Sequence, residues 1–332
     1  MFKVSLLLSL VLLASCGGSS SAVDAASPVP DAPALDPASA SPSALKGYVR
    51  LLSQENTPRS NTDVATLDKI AALITAELES FGYAPTEQVF QADGATYRNI
   101  SALIGPSGGK RIVVGAHYDA AGALPGADDN ASGVAGLLEF ARLLQSVQEL
   151  AVQVEIVAFS LEEPPNFGTP DMGSAKHAAS VTPDDVQFMI SLEMIGYYDD
   201  APGTQTFPEI PGIPESALVA QYGNVGNFIA LVGRPEDQPY LARFKTEMNA
   251  SSDLKAESLA IPPGVQGVAW SDHFNYWDRA IPAFMVTDSA MFRNTAYHTA
   301  GDTWDRLDYD RMAKVVNGLR DGIVSVGQAP IQ

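Results

Sequence analysis

Gly115-Ala116-His117-Tyr118-Asp119, followed by Gly126-Ala127-Asp128-Asp129-Asn130-Ala131-Ser132-Gly133, is the stretch on which the fold turns. The first segment closes an apolar run from Arg111 to Ala116, the pattern of a buried strand opening into a loop. The second leads into apolar Val134, Leu137, Leu138, Ala141 and Leu144 at helical spacing, with Ser132 as the expected N-cap. A histidine and three aspartates at such a junction must each be desolvated or paired, and a metal cation would satisfy them together. The stretch therefore reads as half of a metal site whose other half lies elsewhere in the chain.

The totals restrict where that half can come from. The chain has 332 residues, 46% of them hydrophobic, which is ample for a packed core. The net charge of -19 argues against a nucleic-acid partner and against a basic membrane-surface patch. There is a single cysteine, Cys16, so an internal disulfide is excluded and no thiolate cluster can hold a metal. Any zinc site must use carboxylates and the four histidines, His117, His177, His273 and His298.

The first residues read as an address. Lys3 supplies a positive start, Val4 to Leu13 an apolar stretch too short to span a bilayer comfortably, and Leu13-Ala14-Ser15-Cys16 a small-residue junction. That junction resembles the bacterial lipobox, which implies a signal peptide at residues 1–15, cleavage before Cys16 and a lipid on its sulfur. The expected location is the bacterial cell envelope, at the outer membrane or facing the periplasm, with the membrane reached only through Cys16. Residues 16–43 are rich in Ser, Ala, Pro and Asp and read as a disordered tether; the folded domain is expected over residues 44–328.

Within that domain, Leu67, Ile70, Ile74, Leu78 and Phe81 mark an amphipathic helix over residues 63–81, with Gly82 as its left-handed stop. Residues 88–92 and 96–104, separated by Asp93-Gly94, predict a β-hairpin. Gly105-Pro106-Ser107-Gly108-Gly109 formally matches a nucleophile elbow, but that motif needs a helix after the serine and here a strand follows, over residues 110–116. Further strands are expected at residues 152–160, 186–192, 228–232 and 281–287, and helices at 173–179, 239–248 and 308–324. Residues 199–223 read as an irregular surface loop. Strands alternating with helices predict a single α/β domain, an open and mostly parallel central sheet with helices on both faces. In such sheets ligands bind beyond the carboxyl ends of the strands, where His117, Glu162-Glu163, Glu193 and His298 all fall.

Five groups thus stand out: His117, Asp129, one of Glu162 and Glu163, Glu193 and His298. A catalytic zinc takes about three protein ligands. Five groups serve two such ions if one carboxylate bridges, and the charge then nearly balances. His273, ahead of Phe274 and Trp277, reads as a pocket or helix-start residue, and His177, among Ala and Lys, as a surface residue.

These motifs also carry a resemblance. Residues 115–119 and 125–133, Glu162-Glu163, Ser-Leu-Glu-Met-Ile-Gly at 191–196, Ser-Asp-His at 271–273 and Tyr-His-Thr at 297–299 resemble the zinc peptidases of metallopeptidase family twenty-eight, in order and over about residues 45–324. The resemblance implies a zinc exopeptidase fold and two zinc ions: His117 and Glu193 on one, Glu163 and His298 on the other, Asp129 bridging, and Glu162 as general base. It places glutamate at position 193 where family members often have aspartate. Asp119 would accept a hydrogen bond from His117 and fix its tautomer. Asp128 stands between a site role and that of a loop residue satisfying backbone N–H groups. Two side chains in sequence diverge at a strand end, so one glutamate can ligate while its neighbour takes a proton from water that the metal activates.

The expected activity is removal of N-terminal residues from peptide or aminoacyl substrates. A single-zinc glutaminyl cyclase, a carboxypeptidase or dipeptidase of the same fold, and a binding lipoprotein without turnover are the alternatives. No obligate protein partner is implied, and side-chain preference, which depends on Met194, residues 199–223 and the 270–277 region, is not readable.

Overall fold

The alternation of buried residues along the chain builds the architecture. In the strand Arg111–His117, Ile112, Val114 and Ala116 face one hydrophobic cluster while Val113 faces another, so both faces of the strand are covered. The computed structural model describes residues 35–329 and 331. The signal peptide, Cys16 and most of the expected tether lie outside the described residues.

In chain order the elements are α1 (Pro42–Arg50), α2 (Val64–Ser80), β1 (Thr86–Ala92), β2 (Ala95–Ile104), β3 (Arg111–His117), α3 (Gly133–Gln145), β4 (Gln153–Phe159), α4 (Gly173–Ser180) and β5 (Val186–Leu192). There follow β6 (Asp199–Pro202), α5 (Glu215–Tyr222), β7 (Val225–Gly226), β8 (Phe228–Gly233), α6 (Gln238–Ser251), β9 (Lys255–Ala260), α7 (Phe274–Trp277), β10 (Ala283–Thr287) and α8 (Tyr309–Gln328). Eight strands form one sheet in the order β1-β2-β4-β3-β5-β10-β8-β9. The four central strands from β4 to β10 run parallel; β1 with β2, β2 with β4 and β10 with β8 are antiparallel. The main core, with Val49, Leu67, Leu137, Leu241 and Leu319, packs α1, α2, α3, α6 and α8 on one face. Two smaller clusters cover the other, one around α4 and α7 and one under the segment that carries α5. The mixed, mostly parallel α/β sheet expected from the sequence is the fold observed.

Local chemistry explains the boundaries. Asp63 caps α2 by accepting from the Thr66 amide, and Asp308 caps α8 by accepting from Arg311. Asp93 and Gly94, at φ 50° and 77°, make the tight turn of the β1–β2 hairpin.

The structure corrects three expectations and adds a strand. Ser132 is not an N-cap: its backbone is helical and its hydroxyl donates to the Asp128 carbonyl while accepting from the Ile195 amide, so it ties two loops together. Residues 199–223 are not uniformly irregular but hold β6 and α5. The edge strand β9, which the sequence reading left out, lacks an apolar run because exposed Lys255 and buried Glu257 share one of its faces as an ion pair. Residues 36–41, counted with the tether, pack onto the body: Ala40 is buried, its amide donates to Asn317, and the Ser41 amide donates to buried Glu139.

Candidate metal centre

Four strand ends deliver the predicted groups. β3 stops at His117, and the Tyr118 amide donates to the Phe159 carbonyl at the end of β4. Glu162 and Glu163 follow two residues past that strand. β5 ends at Leu192, and the Glu193 amide donates to Val286 of β10, which keeps Glu193 at the sheet edge. β10 leads into the loop that carries His298. Leu161, Met194 and His298 all have positive φ, at 61°, 50° and 53°. Non-glycine residues rarely adopt that conformation, and three at one edge mark a place where packing holds a strained backbone to aim side chains.

The side chains converge as two overlapping groups. His117 Nε2 lies 3.2 Å from Glu193 Oε2 and 3.5 Å from Asp129 Oδ1. His298 Nε2 lies 3.0 Å from Asp129 Oδ2 and 3.2 Å from Glu163 Oε2. His117, Asp129 and Glu193 thus form one set of three potential ligand atoms and Asp129, Glu163 and His298 a second. Asp129 serves both, one oxygen to each histidine. Glu162 belongs to neither set, with Oε2 3.8 Å from His117 Nε2.

The electrostatics favour a cation among these groups. Burial and neighbouring carboxylates push Glu162 well above the usual carboxylate range and Glu163 to about 7. Burial also opposes charge on Asp129, yet the neighbouring His117 and His298 rings hold its carboxyl below the ordinary value. His298 loses from burial but is carried to about 10 by Asp129 and Glu163. Both ring nitrogens of His117 and Glu163 Oε1 are buried with no hydrogen-bond partner among the described residues. Orphaned buried acceptors facing one another are costly, and divalent cations with N and O ligands fit this donor set.

A surrounding framework, largely invisible in sequence, positions these groups. Asp302 accepts the Asp128 and Asp129 amides, fixing the loop beneath Asp129. Asn130 donates to the Leu192 carbonyl and accepts from the Gly133 and Met194 amides, tying that loop to the end of β5. Ser271 Oγ donates to Glu193 Oε2 at 2.8 Å. Arg59, fully buried, donates to the carbonyls of Leu52, Tyr118, Pro125 and Gly126, clamping the segment between His117 and Asp129. Gly126 has φ 59°, and a Cβ there would meet the Asp129 carbonyl oxygen at 2.3 Å, so only glycine fits the turn. Asp302 had one sequence signal, its place four residues after His298; Arg59 had none.

Two expected roles change. Asp119 stands 3.6 Å from His117 Nδ1, too far for a hydrogen bond, and instead accepts the Glu162 and Glu163 amides at 3.0 Å each. It orients the two glutamates rather than the histidine. His177 is not on the surface: it is 4% exposed, with Nδ1 2.6 Å from the Tyr276 hydroxyl and Nε2 3.2 Å from Glu155. Its polar partners are buried with it on the far face of the sheet. Asp128 behaves as a loop residue, accepting from the Gly196 amide and Asn294. His273 sits at the start of α7 with Nε2 2.8 Å from the Val268 carbonyl, away from both ligand sets.

Known proteins agree with this geometry. The family model described as Peptidase family M28 matches residues 99–321. The protein YfbL of Escherichia coli, described as uncharacterized, is 46% identical over 292 residues, 85% of this chain and 88% of its own. Leucine aminopeptidase 1 of Uncinocarpus reesii is 31% identical over 238 residues; these are 67% of this chain and 53% of that protein, so the chain spans about half of the fungal relative. Among solved structures, the zinc aminopeptidase BSAP from Bacillus subtilis superposes with a TM-score of 0.68 at 14% identity, covering 87% of this chain and 96% of that one. A glutaminyl cyclase from Bacteroides thetaiotaomicron superposes at 0.63 and 18% identity, covering 86% and 98%. At such identities the two structures speak for the fold alone. The family model, matched over more than half of the chain, establishes that the chain belongs to Peptidase family M28, the zinc metallopeptidases.

Proposed function

We propose that this protein is an aminopeptidase that works with two zinc ions, one held by His117, Asp129 and Glu193 and the other by Asp129, Glu163 and His298. The observation that carries the reading is Asp129, whose two oxygens face different histidines. That division suits a carboxylate shared between two cations. When bound, zinc polarises a substrate carbonyl and makes water acidic enough to lose a proton near neutrality.

The chain's own residues supply the rest. Glu162 is the carboxylate left free beside the ligand sets, its backbone pinned by Asp119, so its role is to take a proton from the attacking water and pass it to the leaving amine. Glu162, the carboxylate outside both ligand sets, is left to meet a protonated N-terminus, which favours an unblocked peptide over a C-terminal carboxylate. The name of the fungal relative, leucine aminopeptidase, supports the same choice.

Zinc titration of metal-free protein tests the metal count: two equivalents should bind, and the Glu193→Ala variant should keep one. A single equivalent in the unaltered protein, with cyclisation of N-terminal glutamine, would favour the cyclase alternative. We further propose export and anchoring through a lipidated Cys16, on the strength of the Leu13-Ala14-Ser15-Cys16 sequence. Cys16→Ala should move the protein out of the membrane fraction; unchanged partition would refute the anchor.

A further inference from the structure

The loop that ends in Asp129 is gripped from two sides by buried residues that belong to neither ligand set. Arg59 takes its carbonyls: Nη1 donates to Pro125 and Nη2 to Gly126, at 2.7 Å each. Asp302 takes its amides: its backbone carbonyl accepts from Ala127 at 3.2 Å, and its carboxylate from Asp128 at 3.0 Å and Asp129 at 3.1 Å. Every residue from Pro125 to Asp129 thus gives one backbone group to the pair. Arg59 also reaches beyond the loop. Its Nε donates to the Tyr118 carbonyl, next to His117, and Nη1 also to Leu52 in the helical turn after α1, at 3.0 Å each, while its own carbonyl accepts from the Ala120 amide. Asp302 lies on the loop of His298. The two residues therefore tie the Asp129 loop to the segments of both histidines and to an N-terminal helix that precedes residues 99–321, the span of the family model.

The geometry explains why position 59 holds arginine. Carbonyls arriving from three separate segments need donors that point in several fixed directions, and the planar guanidinium offers five N–H groups where a lysine ammonium offers three on one atom. The fit to the turn is close, since a Cβ on Gly126 would come within 2.8 Å of Nη2. Arg59 is fully buried. Burial pulls its guanidinium down to about 10, while the carboxylates of Asp302, Asp119, Asp129 and Glu163 act in the opposite direction. A buried cation is costly, and this one sits beside the ligand cluster with its hydrogen bonds committed to backbone carbonyls.

We infer, on the reading of Asp129 as a ligand shared by two ions, that Arg59 is a positioning residue of the metal centre: with Asp302 it fixes the Asp129 loop before any ion arrives. Both ligand sets are then preformed, and zinc does not have to order the loop on binding. The fork of donors is the working part, so another cation at position 59 does not replace it.

Hydrogen exchange on the unaltered protein, before and after zinc is stripped, is the first test. The Ala127, Asp128 and Asp129 amides should stay protected in the metal-free protein. Their exchange at open-loop rates would overturn the inference, because the ions would then be what orders the loop. Arg59→Lys and Arg59→Met should both lose that protection and bind zinc about 10–100-fold more weakly in competition with a chelator. Arg142→Met controls for general destabilisation: Arg142 holds Glu139 and the carbonyls of Asp36 and Ser39, and its loss should leave zinc affinity unchanged. Unchanged affinity in the Arg59 variants, full recovery with lysine, or equal weakening in Arg142→Met would each overturn the inference. If the Arg59 variants do not fold, exchange in the unaltered protein still decides. A single zinc per unaltered chain would end the two-ion reading alone, since Asp129 belongs to both ligand sets and the affinity ratio is read on whichever ion binds.

Discussion

At the scale of single residues, the division of labour between Glu162 and Glu163 is the most consequential. They are neighbours with the same side chain, both oriented by Asp119 through their amides, yet only Glu163 joins a ligand set. Glu162→Gln should therefore lower kcat by about 10²–10⁴-fold while zinc content stays unchanged. Full activity in that variant would remove Glu162 from the proton path, and loss of zinc would make it a ligand. His117, Glu163 and Glu193 were legible because each is a metal-competent residue at or just past the end of an apolar run, and Asp129 and His298 because of the motifs around them. Arg59, Asn130, Ser271 and Asp302 were not. Arg59, Asn130 and Asp302 act through backbone amides and carbonyls of residues elsewhere in the chain and Ser271 through the Glu193 carboxylate, contacts that their immediate surroundings do not spell out. His177 misled for the converse reason: flanking Ala and Lys suggested an exposed helix face, whereas its partners Tyr276 and Glu155 arrive from elsewhere in the chain.

At the scale of elements, the strands with strong apolar runs were readable almost to the residue, as β5 at Val186–Leu192 shows. Where charge serves structure the pattern fails. β9 hides behind its Lys255–Glu257 pair, and α1 hides because the segment before it reads as tether. That segment is held by Arg142, which donates to the carbonyls of Asp36 and Ser39 and to Glu139 at 2.8 Å. Glu139 is fully buried and also accepts the Ser41 amide. Arg142→Met should strand that carboxylate and cost about 3–5 kcal/mol in urea unfolding, with the amides of residues 38–41 losing protection from hydrogen exchange. A loss below 1 kcal/mol with protection retained would show that the docked segment does not depend on the pair. Residues 36–41 are thus held against the folded body.

At the scale of the whole molecule, the parallel strands β4, β3, β5 and β10 bring Glu162, Glu163, His117, Glu193 and the His298 loop to one edge, and an apolar pocket lined by Phe228, Ala230, Val232 and Met285 adjoins Glu193 there. Charge follows this plan. The cations take up the ligating carboxylates and leave Glu162 to meet a protonated amino terminus, and the pocket beside it is apolar. Both features point to a substrate that presents a free α-amino group and an apolar side chain together. The most direct test compares the zinc-loaded protein on matched leucyl and N-acetyl-leucyl anilides. The free amine should be hydrolysed at least a hundredfold faster by kcat/KM, with activity abolished by a chelator and restored by zinc. Equal rates on the two substrates would contradict the account.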